Sequence, residues 1–265
     1  MNILAIEIKS NIKSLTIWCI GMVAMIGAGM GKFVGYTKSG EAINDILTIF
    51  PKSLLNVMGI SSFDLSTVIG FYGVLFLYLI LIAASHAIML GVNIILKEEN
   101  DKTIEFLLAK PVSRSKVITS KLLAALFNII ILNIVTLTAS FFAVNYFNQF
   151  HETLIYIIML MAGMFILQLI FLSVGLLLAS ASNNPKTTTS KAGAILLTTF
   201  ILYLLINMSD KLEKLKFLTP FKYFEAESII LGKGFDMFFI ILSFVIIVIS
   251  LIGTYKFYKR RDLNV

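Results

Sequence analysis

The sequence predicts an all-α integral membrane protein with six transmembrane helices. Three observations carry that prediction. Of the 265 residues, 58% are hydrophobic and only 14% are charged. The mean hydropathy is +0.92. The apolar residues gather into six long runs separated by short charged segments. A soluble domain averages about 45–50% apolar and about 25% charged residues, so the excess indicates a bilayer as solvent. At roughly 20 apolar residues per crossing, the length suits one membrane domain, 1–265, with no separate soluble domain.

Taken in order, the chain begins with Ile3, Leu4, Ile6, Ile8 and Ile12 mixed with Glu7, Lys9 and Lys13. That mixture predicts an N-terminal interfacial helix along the inner leaflet. The first span is placed at 15–35. It is longer than a signal-peptide core of about 7–15 residues and lacks a small-x-small cleavage site, so it is read as retained. The single cysteine, Cys19, excludes an intramolecular disulfide and reads as a packing residue beside Trp18. Gly27, Gly31 and Gly35 recur every four residues and line one helix face. Such a stripe lets another helix approach, within the chain or between subunits. The string Gly27-Ala28-Gly29-Met30-Gly31-Lys32-Phe33 is no phosphate-binding loop. The first required glycine position holds Ile26, Phe33 replaces the hydroxyl residue, and the string lies within a span.

The second span is placed at 69–96, longer than a bilayer requires. A charged island follows, 97–121, KEENDKTIEFLLAKPVSRSKVITSK. Within it Ile104, Leu107 and Leu108 share one helical face, with Asp101, Lys102 and Glu105 on the polar side. Glu98, Glu99 and Asp101 suit a helix N-terminus and Lys110 its C-terminus. Pro111 cannot continue the helix. Ser113 can cap the next one, which becomes the third span, 122–147. The island therefore carries a short amphipathic helix, resting on headgroups or docking into a partner's groove.

The fourth span is placed at 153–182, after a short loop in which His151 and Glu152 are solvated. The fifth is placed at 192–209. Residues 210–234 alternate charge with Leu, Phe and Tyr. They predict an outer interfacial or re-entrant hairpin, and backbone can dip into a bilayer only where protein or water satisfies its polar groups. The sixth span is placed at 235–257. Lys256, Lys259, Arg260 and Arg261 then provide an anchor for anionic lipid.

Orientation follows from the basic residues. The segments on the side of both termini hold Lys9 and Lys13, six in 97–121, Lys186 and Lys191, and the four C-terminal cations. That side nets +8 and the other −1. The bias predicts that both termini are cytoplasmic and accounts for the overall +7 without a nucleic-acid partner. Polar residues inside spans either bond neighbouring helices or line a path. Ser85, His86 and Asn93 in the second span and Asn207 near the outer end of the fifth are the candidates for a path. Asn128, Asn133 and Gln168 are further polar positions within spans.

No constellation of acid, base, nucleophile or metal ligands suggests covalent chemistry. The two histidines are widely separated, there is no Cys/His zinc spacing, and no Gly-x-Ser-x-Gly string occurs.

The island resembles a known loop. Glu98-Glu99, Lys102-Thr103-Ile104-Glu105-Phe106-Leu107-Leu108, Pro111-Val112-Ser113-Arg114 and Lys121 are similar to the cytoplasmic loop of the type-2 ATP-binding-cassette (ABC) permeases. Lys102 stands where that family often has Gly. Pro220-Phe221-Lys222-Tyr223-Phe224 resembles the family's outer re-entrant hairpin, and the six-span layout covers the rest. The resemblance implies a permease subunit of an ABC exporter in a prokaryotic plasma membrane. It implies pairing with a second permease as homodimer or heterodimer, and contact with membrane lipids. It also implies a separate cytoplasmic ATPase that holds the ATP and Mg, with no cofactor on this chain. The island would be the coupling helix, with Glu98, Glu99, Thr103, Glu105, Phe106, Leu107, Leu108, Pro111 and Arg114 at the ATPase contact. His86 is the foremost path residue, because the family arranges its second and fifth spans around the centre. The small outer segments lean towards a small hydrophobic or amphipathic cargo. The competing reading is a membrane scaffold that recruits a cytoplasmic partner without moving a solute.

Overall fold

A computed structural model describes residues 3–39, 51, 55, 60, 63–100, 113–147, 153–182 and 184–260. Six long helices account for most of them: α1 (Ile3–Ser39), α2 (Val68–Asn100), α3 (Arg114–Phe147), α4 (Thr153–Ala181), α5 (Pro185–Met208) and α6 (Met237–Arg260). No strand occurs among the described residues. All six helices are long and apolar enough to cross a membrane. The two shortest have 24 residues and so span about 36 Å, against roughly 30 Å of hydrocarbon.

The helices run alternately up and down. At the end that carries both termini, Lys97 on α2 donates to Ser10 on α1 at 2.5 Å. At the same end the hydroxyls of Thr119 on α3 and Tyr255 on α6 lie 2.8 Å apart. The centre is the pair α2 and α4, buried over 56% and 61% of their most apolar stretches, against 22% for α1, α5 and α6. Gly91 and Gly175 let these two backbones meet. A Cβ on Gly91 would lie 2.6 Å from the Leu172 carbonyl oxygen, and one on Gly175 would collide with the carbonyl of Ile88. The outer helices turn large apolar residues outward, including Ile17, Ile20, Phe142, Ile201, Phe244 and Ile252. In water such a surface would be costly; against lipid tails it is the expected one.

The helices run beyond several of the predicted spans, the third starting at Arg114 ahead of the span placed at 122–147. The segment before the first span is not a separate interfacial helix. It forms the first turns of α1, which runs unbroken for 37 residues, about 55 Å. Glu7 in that segment is buried against the bundle by an ion pair with Lys121, while Lys9 and Lys13 stay exposed. The fifth helix starts at Pro185, ahead of the span placed at 192–209. Proline suits the first helical position, where no amide hydrogen bond is required. The Asn184 carbonyl accepts the Thr188 amide at 3.2 Å and the Thr187 hydroxyl at 3.1 Å. The expected cap before the third span forms, with the Ser113 hydroxyl accepting the Lys116 amide at 3.3 Å.

Between α5 and α6 the chain forms two 3-10 stretches, Asp210–Leu218 and Pro220–Lys222, and a short helix, Ala226–Ile230. These local turns satisfy much of the backbone, as burial requires. The Thr219 hydroxyl donates to the Thr199 carbonyl at 2.8 Å. Thr199 lies nine residues before the end of α5, so the contact sits about 13 Å below it. Phe221 is fully buried against Phe171 on α4 and Phe200 and Tyr203 on α5. The segment thus folds back into the bundle between α4 and α5.

Candidate functional site

Two polar arrangements distinguish the end that carries the termini. The first is an ion cluster at the roots of the island. Lys121, in the third turn of α3, is fully buried. Its ammonium donates to both Glu98 oxygens, at 2.6 and 2.8 Å, and to the Ile94 carbonyl at 2.5 Å. It also pairs with Glu7 Oε1 at 3.1 Å. Lys97 lies 4.0 Å from the other Glu7 oxygen. A buried ammonium persists only when opposite charges and acceptors replace its water. The Glu98 and Glu7 carboxylates and the Ile94 carbonyl meet that requirement.

A second tie lies beside it. Arg114, the first residue of α3, donates through Nη1 to the carbonyls of Lys259, at 3.1 Å, and Tyr258, at 3.5 Å. These carbonyls lie in the last turn of α6 as described, Met237–Arg260. The helices that enter and leave the island are therefore fastened to α1 and α6 where the island begins and ends.

The second arrangement is a small polar niche deeper in the bundle. A cavity of about 40 Å³ lies between α1, α2 and α3, lined by Asn11, Ser14, Trp18, His86, Asn93 and Asn128 among others. A space of that size holds about one water. The edge of Trp18 meets the His86 ring at 5.4 Å and 63°. Among the described residues, buried His86 Nδ1 has no hydrogen-bond partner.

The sequence-predicted residues divide accordingly. Glu98 joins the ion cluster and Arg114 the α6 tie. Glu99 is half-buried at the end of α2. Thr103, Glu105, Phe106, Leu107, Leu108 and Pro111 lie outside the described residues. His86 and Asn93 meet in the niche. Ser85 does not join them; its hydroxyl donates to the Leu81 carbonyl of its own helix at 2.8 Å. Asn207 sits at the opposite end, where it accepts from Lys222 at 2.8 Å. Asn133 and Gln168 bond each other and link α3 to α4. Gly27, Gly31 and Gly35 would have room for a Cβ among the described residues. No described atom outside their own helix comes within 4 Å of an added Cβ, whereas Gly29 packs against Leu75.

Glu7, Lys97, Asn11 and Ser14 enter the site without having been singled out. Glu7 carried a weak signal, an acid within an apolar stretch. Its partner lies more than a hundred residues away, so the pairing itself was not legible.

No curated protein matches the sequence. A family model described as ABC-2 family transporter protein matches residues 1–263. The chain accordingly belongs to the ABC-2 transporter family, as a multi-pass membrane component of an ABC transporter whose ATPase is a different part of the assembly.

Proposed function

We propose that this chain is the permease subunit of an ATP-driven exporter, with both termini cytoplasmic and a separate ATPase docking at the island. The family match across 1–263 carries this reading. The excess of Lys and Arg at the end with the termini supports the orientation. The nucleotide and its magnesium would then belong to the partner.

The ties at the island give coupling a physical route. A push on 101–112 acts first on the end of α2 and the start of α3. Lys121 joins both to Glu7 on α1, and Arg114 joins α3 to the end of α6. Four spans therefore receive the displacement together. The small niche around His86 lies just inside these ties, and its polar groups would line the path once the helices separate. The open glycine stripe on α1 offers a face to a second permease, and small residues there allow close helix contact.

The test is Leu107→Asp in vesicles that contain this chain and its ATPase. The expected result is normal insertion with loss of ATP-driven export. Normal export by the inserted variant would overturn the coupling assignment, and a wild-type chain that only retains the ATPase without moving solute would favour a scaffold.

A further inference from the structure

The end of the bundle opposite the termini holds a cavity of about 400 Å³, within the size range of small-molecule sites. The folded-back segment forms most of it. Its wall carries three ammonium groups, Lys216, Lys222 and Lys233, and three carboxylates, Glu213, Glu225 and Asp236. Two of the cations are engaged: Lys216 pairs with Glu213 at 3.2 Å, and Lys222 with Glu225 at 2.7 Å.

Lys233 and Asp236 are different. The Lys233 ammonium has no ion-pair or hydrogen-bond partner among the described residues, and its position is built into the backbone. Gly232 and Gly234 on either side adopt φ of +78° and +69°, a conformation that favours glycine. The Ser228 carbonyl accepts the amides of Lys233, at 2.9 Å, and Gly234, at 3.2 Å. Asp236 uses one oxygen to accept the Phe238 amide at 2.9 Å, and no described partner takes the other. One free cation and one free carboxylate oxygen thus border the same cavity. Leu231, Met237, Phe238 and Ile241 are exposed beside it and would meet acyl chains in a membrane.

We propose that this cavity binds the headgroup of a zwitterionic phospholipid with a primary ammonium. The phosphate lies against Lys233, the ammonium against Asp236, and the acyl chains along the start of α6. An anion alone would meet three carboxylates, and a cation alone three ammonium groups. A ligand of both signs satisfies the free pair without disturbing the others. The assignment requires only that the helices span a membrane, so it stands apart from the export reading.

The test is lipid binding to the purified full chain in detergent, by native mass spectrometry. The probes are phosphatidylethanolamine, phosphatidylglycerol, diacylglycerol and free phosphoethanolamine. Phosphatidylethanolamine should bind most tightly and free phosphoethanolamine should not saturate. Lys233→Gln should weaken phosphatidylethanolamine by about tenfold or more, the scale of one charged hydrogen bond. Asp236→Asn keeps an acceptor for the Phe238 amide and should remove the preference over phosphatidylglycerol. Equal binding of diacylglycerol, tighter binding of phosphatidylglycerol, or no effect of Lys233→Gln would each overturn the proposal. Phosphoethanolamine binding as tightly as the lipid would assign the site to a free solute and overturn it too.

Discussion

Lys121→Met should destabilise the fold far more than a surface charge deletion. Its ammonium is fully buried and contacts Glu98, Glu7 and the Ile94 carbonyl. Methionine preserves most of the side-chain volume and removes the charge. Glu98 and Glu7 are then left 13% and 4% exposed, and Lys97 at 4.0 Å answers only part of their charge. Breaking a buried ion pair by deleting one partner costs about 3–5 kcal/mol. Replacing the whole group by apolar residues is often neutral, so Glu7→Met and Glu98→Leu added to Lys121→Met should recover most of the loss. The assay is unfolding of the purified chain in detergent, followed by the fluorescence of Trp18, the single tryptophan, which packs on His86 between α1 and α2. A single variant within about 1 kcal/mol of the parent, the scale of an exposed pair, would refute the reasoning. So would a triple variant no more stable than the single one.

Other expected outcomes follow from the packing and the titratable groups. Gly175→Ala places a Cβ against the Ile88 carbonyl and should cost about 1–3 kcal/mol in the same unfolding assay, whereas Gly27→Ala should cost little. Gly31→Cys in a Cys19→Ser background should form a disulfide-linked dimer in membranes, read by gel mobility; a monomer under oxidising conditions would count against pairing through that face. Burial holds the Glu225 carboxyl above its ordinary value of 4.5, against the opposing pull of Lys222. The folded state therefore holds that proton more tightly, and Glu225's contribution to stability should decline as pH rises from 4.5 through the raised value. Glu225→Gln should flatten that part of the stability profile.

Much of the architecture could be read before folding because a bilayer imposes a simple constraint on composition. Six apolar runs became six helices, and Ser113 capped the third as its hydroxyl and position suggested. The boundaries shifted where polar residues continue a helix beyond the apolar run, as at Pro185 and Lys186, since hydropathy marks the apolar length rather than the helix. Periodicity also misdirected attention among the glycines. An added Cβ on Gly27, Gly31 or Gly35 would meet no described atom within 4 Å, while the isolated Gly91 and Gly175 bring two helix backbones together. Contacts of that kind depend on which helices become neighbours. The same holds for Glu7 and Lys121, which look like ordinary termini-side charges until α1 and α3 are side by side.

The most direct measurement is side-specific labelling of single cysteines at positions 107 and 231 in a Cys19→Ser chain, using a reagent that does not cross membranes. An ATP-driven push can enter only where the nucleotide is, on the cytoplasmic side. Leu231→Cys should react in intact cells, and Leu107→Cys should react only after permeabilisation. Labelling of Leu107→Cys in intact cells would contradict entry from that side.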